Sequence, residues 1–208
     1  AYGAYFRNIR ITNCSRVKLK NICVDSASGS DYEYPRTVAH YCPRGIDLLN
    51  SNVLLENVAI SRTSEYGIYA DNSVISSKGG LIVYRVYGRT TSERRTSKGV
   101  GVFLIDSTLA FNTSAYAGAG TDLVNISKCE YGLQGINSLV TDGAVSTLTN
   151  KNAGGADTRT SRIFLNGNNI GCRLENSVYN YNGRTESFCN LKGFDAYNSI
   201  LEFPQFSV

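Results

Sequence analysis

The residues best equipped for chemistry in this 208-residue chain are carboxylates and tyrosines at matching places in a repeated segment. Asp47 with Asp71 and Glu175 with Asp195 form two candidate catalytic pairs, each on neighbouring repeats and two positions apart. With ~4.8 Å between strands and ~6.6 Å for two residues along a strand, the Cα atoms of each pair fall about 8 Å apart. Side chains then bring the carboxyl groups into the roughly 5–9.5 Å range in which paired acids cleave glycosidic bonds. Tyr69 and Tyr197 offer plates for sugar rings, and Arg173 is placed to hold hydroxyl groups. The competing reading is chance, since 17 acids in one chain supply such pairs without selection.

His40 is the single histidine, which excludes a multi-histidine metal site. It sits among Tyr32, Tyr34 and Tyr41 in DYEYPRTVAHYCPRG, a cluster that serves equally as a carbohydrate platform or as a loop folded back on the body. No serine is tied to His40 by spacing, so no Ser-His-acid relay follows. The six cysteines form no CxxC pair and match no zinc spacing; we read them as reduced, mostly buried thiols, a Cys14–Cys23 disulfide being the alternative. No metal and no cofactor is expected.

The elements that position these groups come from a repeat. Six gapless segments align: 45–52 (GIDLLNSN), 67–74 (GIYADNSV), 101–108 (GVFLIDST), 132–139 (GLQGINSL), 171–178 (GCRLENSV) and 193–200 (GFDAYNSI). The residue after each glycine is Ile46, Ile68, Val102, Leu133, Cys172 or Phe194, and the next but one is also uncharged. Positions one and three share a face only in extended backbone. The Asn/Asp-Ser pair that follows marks a corner, and serine in the same register six times is a structural ladder rather than a set of nucleophiles. The glycines are 22, 34, 31, 39 and 22 residues apart, as for a rung of about 22 residues that sometimes carries an extra loop. The spacing predicts an all-β fold, a single-stranded parallel β-helix of about seven rungs with lateral loop insertions. It spans 1–208 as one domain, with an N-terminal rung and long loop over 1–44, repeated rungs over 45–203 and a tail over 204–208. Strands are expected at 8–13 and 17–24, and the tail is read as a cap or as a strand entering a further unit.

The excess residues occupy 26–44, 88–99, 112–121 and about 150–162, which we read as insertions at one corner, stacked into a single ridge. Two of them are basic, with Arg89, Arg94, Arg95 and Lys98 in the second and Lys151, Arg159 and Arg162 in the last, so the ridge would attract acidic polysaccharide or lipopolysaccharide phosphate unless its charges only solvate it. Positions two and four of each first strand point outward. Their centre is Phe103, Ile105 and Ile136, an apolar patch rimmed by tyrosines and charges. Packing between subunits, a shallow sugar groove and cover by the chain's own loops are the three accounts of it.

The net charge of +4 is mild, and no basic-aromatic module or phosphate-binding glycine loop appears, so no nucleic-acid partner is expected. No run approaches the ~20 apolar residues of a membrane span, so no membrane insertion is expected. The chain has no Met and begins at Ala1, which we read as a processed product or a piece of something longer. The triplets beginning at Asn13, Asn112 and Asn125 match the N-glycosylation pattern, a common coincidence in an Asn-rich chain.

The Gly-apolar-x-apolar-x-Asn-Ser units, with their Asn/Ser/Gly-rich linkers, resemble right-handed parallel β-helix proteins, and among them segments of bacteriophage tail fibres and tailspikes. The resemblance implies a virion protein of the tail or fibre, exposed to the extracellular medium after host lysis. It further implies a homotrimer that contacts other virion proteins and binds host-surface polysaccharide or lipopolysaccharide, in some relatives cleaving it. The calcium-binding aspartates and catalytic Arg or Lys of β-helix lyases cannot be assembled here. A polysaccharide-degrading enzyme is the first alternative and a cell-surface adhesin the second.

Overall fold

Parallel pairing in a fixed register organises the chain. The computed structural model describes residues 4–6, 8–25, 42–86, 99–111, 123–142, 162–181, 184–202 and 206–207. These form 19 strands, and every pairing among them is parallel. In chain order they are β1 (Ala4–Phe6), β2 (Ile9–Thr12), β3 (Val17–Asp25), β4 (Arg44–Leu49), β5 (Asn52–Ser61), β6 (Tyr66–Asp71), β7 (Val74–Tyr84), β8 (Val100–Ile105), β9 (Thr108–Phe111) and β10 (Leu123–Ser127). There follow β11 (Tyr131–Ile136), β12 (Leu139–Asp142), β13 (Arg162–Asn166), β14 (Ile170–Glu175), β15 (Val178–Asn180), β16 (Arg184–Phe188), β17 (Lys192–Tyr197), β18 (Ile200–Glu202) and β19 (Phe206–Ser207).

One sheet has seven strands in the order β2, β4, β6, β8, β11, β14, β17; we call it strip one. The other has twelve and forks at β7, whose first half pairs β9 and whose second half pairs β10. Strip two is the run of first halves continuing through β12, β15 and β18, and strip three the run of second halves continuing through β13, β16 and β19. The result is an all-β, parallel-stranded repeat architecture consistent with the β-solenoid class.

Alternation decides which side chains are buried. In strip one, Ile46 pairs with Ile68, Ile68 with Val102, Val102 with Leu133, Leu133 with Cys172 and Cys172 with Phe194. All are buried except Phe194, which is half-buried in the final strand of the strip. Burying one such aliphatic side chain contributes about 1.5–3 kcal/mol. Their faces meet those of strips two and three in a single core that includes Leu55, Ile75, Leu109, Val58, Leu81 and Ile126.

The glycine at the head of each segment is required by close approach, since none of the six has positive φ. A Cβ on Gly45, Gly67, Gly101, Gly132 or Gly171 would lie 2.7, 2.5, 2.5, 2.4 or 2.6 Å from the carbonyl oxygen of the glycine in the following repeat. The serine ladder works in the same direction. Ser51, Ser73, Ser107, Ser138 and Ser177 each donate their backbone N–H to the Oγ of the serine one repeat on, at 3.0–3.2 Å. Each of these hydroxyls donates in turn to the carbonyl two residues back, at 2.6–2.8 Å. Cys14 takes the serine place in the first repeat: its N–H reaches Ser51 Oγ and its thiol donates to Thr12 O at 3.3 Å.

Beside the serines, Asn13, Asn50, Asn72, Asp106, Asn137, Asn176 and Asn198 all lie in the left-handed region, with φ between 45° and 55°. Asn and Asp are the non-glycine residues that adopt it most readily. Their amides donate along the column from Asn72 to Asn50 and from Asn50 to Asn13, from Asn137 to Asp106 and from Asn198 to Asn176. The Asp106 side chain has no amide hydrogen to give Asn72, so the column breaks there, as it does between Asn176 and Asn137.

The expectation of one loop ridge is corrected. Segments 26–41 and 87–98 do connect strip three to the next strip-one strand, but 112–122, 143–161 and 182–183 connect strip two to strip three. The strip-three strands β10 and β13 come after the insertions, so insertions occupy two corners. Part of the expected 204–208 tail is β19, paired with β16. The six cysteines are free, which removes the Cys14–Cys23 disulfide; two are buried, three half-buried and Cys189 exposed.

Three substitutions test this frame. Gly132→Ala should lose about 1–3 kcal/mol by overpacking against backbone. Gly193→Ala, whose nearest neighbour would be Ser187 Oγ at 3.2 Å, should lose clearly less in the same denaturant titration. Asp106→Asn should add the bond to Asn72 and stabilise by about 1 kcal/mol, raising Tm by roughly 2–4 °C in calorimetry; a lower Tm would refute the amide-column account.

Candidate functional site on strip one

The outward face of strip one begins with charge and becomes aromatic. Arg44 opens β4 directly opposite Tyr66 of β6, and Asp47 lies opposite Tyr69. Arg44 Nη1 donates to Asp47 Oδ1 at 2.6 Å while its guanidinium lies 3.7 Å from the centre of the Tyr69 ring. Arg10 Nε is 3.6 Å from the other Asp47 oxygen. Asp47 is therefore held as the counter-ion of two arginines, and Asp71, opposite Leu49, is its diagonal neighbour as the register predicts.

Tyr66, Tyr69 and Phe103 form one group. Tyr66 stacks on Phe103 at 5.2 Å and 25°, meets Tyr69 edge-on at 5.2 Å, and Tyr69 lies 5.6 Å from Phe103. Burial, then the nearby Glu65, pushes the Tyr66 hydroxyl above its ordinary pKa, so it stays a neutral donor. Phe103, an expected interface residue, thus packs within its own chain. Ile105 and Ile136 pair directly and are half-buried.

At the other end, Arg173 pairs with Asp195 and Glu175 with Tyr197. These four line a depression of about 320 Å³ together with Leu174 and Ala196. Arg173 Nη1 is 3.5 Å from the Tyr131 hydroxyl, Lys192 Nζ is 3.9 Å from Asp195, and Tyr197 is 73% exposed. Two carboxylates, a guanidinium and an exposed phenol ring suit a hydroxyl-rich ligand. A second depression, about 480 Å³, follows the Asn13, Asn50 and Asn72 amides, which already bond one another.

Tyr32, Tyr34, His40 and Tyr41, and the basic segments read from the sequence (Arg162 apart), lie outside the described residues. Among the described residues no group of three acids, histidines or cysteines is placed to hold a metal, and no helix is long and apolar enough to cross a membrane. Burial pushes the Cys129 thiol up to about 12 and raises Cys172 further, so neither supplies a thiolate. Glu56 is held down to about 2 by hydrogen bonds from Lys18 and Lys20, an ionised surface staple.

One surface escaped the sequence reading. The residue after each corner serine points outward on strip two, and Val74, Thr108, Leu139, Val178 and Ile200 pair in one column. Val74, Leu139 and Ile200 are 41%, 36% and 57% exposed, more open than Ile105 or Ile136. The signal was the apolar character of that position in four of the six segments. Searches against protein-family models, curated proteins and solved structures gave no match to this chain.

Proposed function

We propose that the chain is a right-handed parallel β-helix of seven rungs, a segment of a bacteriophage tail fibre or tailspike with a structural and host-surface glycan-recognition role. Seven strip-one strands in unbroken register supply the rod. The observation that carries the recognition role is the Tyr66–Tyr69–Phe103 group, fixed by Arg44 on a rigid parallel sheet. Aromatic area that is already ordered binds sugar faces without a large entropic cost. The apolar Ile105–Ile136 pair on strip one, flanked in its column by Asp71 and Glu175, and the uncharged column through Leu139 on strip two support a homotrimer, in which like columns of three chains pack together.

Binding of the intact protein to a panel of bacterial surface polysaccharides tests this reading. Tyr69→Ala should weaken the best binder by roughly tenfold, the order expected for losing a stacked ring in a pocket, with β-rich circular dichroism retained. Absence of binding to every polysaccharide, or equal binding by the variant, would count against strip one as the recognition face. In sedimentation, Ile136→Asp should reduce the native mass to one chain; an unchanged mass would sink that interface.

A polysaccharide-degrading activity is the second reading, favoured by Glu175 and Asp195 lining one depression. Glu175→Gln should then abolish release of oligosaccharides while binding persists; release at the native rate would remove this pair.

A further inference from the structure

A second corner recurs after each strip-three strand, and its left-handed residues are Arg62, Arg85, Lys128, Gly167 and Cys189, with φ of 54–64°. Long basic side chains are poor choices for that conformation, which glycine adopts freely and Asn tolerates. Arg62 has a structural reason to be there. It forms a two-pronged pair with Asp25 of the preceding repeat, Nε donating to Oδ1 at 2.8 Å and Nη2 to Oδ2.

Arg85 and Lys128 have no such reason. The register puts Ser61 and Tyr84 where Asp25 stands, so each preceding repeat offers no carboxylate. No ion pair among the described residues involves either cation. Instead both are held against one ring: the Arg85 guanidinium lies 4.7 Å from the centre of Tyr84 and the Lys128 ammonium 5.4 Å from it. Arg85 is half-buried and Lys128 exposed. The two come from adjacent repeats, joined by the bond from Arg85 N–H to Ser127 O at 3.1 Å.

The geometry points to an anion-binding site made by Arg85, Lys128 and Tyr84, which takes a carboxylate or sulfate group of an acidic polysaccharide. Arg85 and Lys128 stand on neighbouring repeats within 4.7 and 5.4 Å of the centre of one ring, so their N–H donors are close enough together to serve one acidic chain. A nucleic acid would need a longer track of cations to follow its phosphates. The site shares no residue with the strip-one aromatic group, so it stands or falls separately from the recognition role proposed there.

The test uses the intact chain with polygalacturonate for the carboxylate, dextran sulfate for the sulfate, neutral dextran, and a short DNA duplex. Wild type should bind at least one polyanion, more weakly as salt rises, and ignore neutral dextran. Replacing both residues by the glycine found in the next repeat, Arg85→Gly with Lys128→Gly, should weaken that binding by roughly tenfold or more. The Tm of this variant should not fall, because glycine relieves the backbone. Removing the same charge elsewhere, by Arg16→Ala with Lys78→Ala, should leave affinity within about twofold. The proposal is overturned if neither polyanion binds, if both double variants lose affinity equally, if the glycine variant binds like wild type or melts lower, or if DNA binds more tightly than either polysaccharide.

Discussion

The approach of each strip-one glycine to the carbonyl oxygen of the next is the contact on which the register of the chain depends. A spacing of 2.4–2.7 Å between a hypothetical Cβ and that oxygen leaves room for hydrogen alone. With the glycines aligned, the apolar residue that follows each one falls into line with its counterparts, and so does the serine six positions on. The serine ladder then closes the corner, because each backbone N–H there would otherwise lack a strand partner. Packing and hydrogen bonding therefore enforce one alignment, and slipping a strand by one residue would turn its core face to solvent.

The corners explain how the same sheets tolerate unequal segments. Strips two and three are continuous in β3, β5 and β7, where Asn21, Asn57 and Gly79 make the bend with positive φ. Asn57 accepts from Gly80 N–H and donates to Asn21, so that bend carries a short ladder of its own. β7 has one more residue than β5 at this point, which shifts the register between Glu56 and Val58. From β9 onward the bend is opened, and segments 112–122 and 143–161 are inserted there while the strands on either side keep their pairing. A loop costs only slowly more entropy as it lengthens, so the stack is indifferent to insert size.

The core line was legible in the sequence because period-two alternation and an invariant Gly-to-Ser interval leave one solution. The strip-three strands were not. Leu123–Ser127 and Arg162–Asn166 follow insertions of uneven length and carry no repeated marker, so they merged with the loops and made two corners look like one. Arg173, Glu175, Asp195 and Tyr197 were brought together as the register implied. The stacking of Phe103 on Tyr66 was not legible, because Tyr66 precedes the segment glycine and lies outside the aligned motif. Cys14 was missed as a corner residue since its thiol, unlike the hydroxyl it replaces, gives no cue in a list of serines.

That substitution has a counterpart at the second corner, which shows the hydrogen-bond direction matters more than the residue type. Thr63, Val86, Cys129, Asn168 and Asn190 follow the left-handed residues in successive repeats. Cys129 N–H donates to Asn168 Oδ1 at 2.9 Å, and Asn168 N–H to Asn190 Oδ1 at 2.7 Å, the same forward step that the serines make. The Cys129 thiol donates to Ser127 O, two residues back, as Cys14 does to Thr12. Asn168, which is buried, and Asn190, which is half-buried, use their amide hydrogens on Ile126 O and Leu165 O, so both are satisfied. The strip-three core changes in parallel, from Val24 and Ile60 to Thr185 and Ser187, with Tyr179 OH and Thr185 Oγ1 2.9 Å apart. Apolar filling at one end and a bonded polar network at the other satisfy the same backbone, because the repeat fixes where donors and acceptors lie and leaves open which side chains meet them.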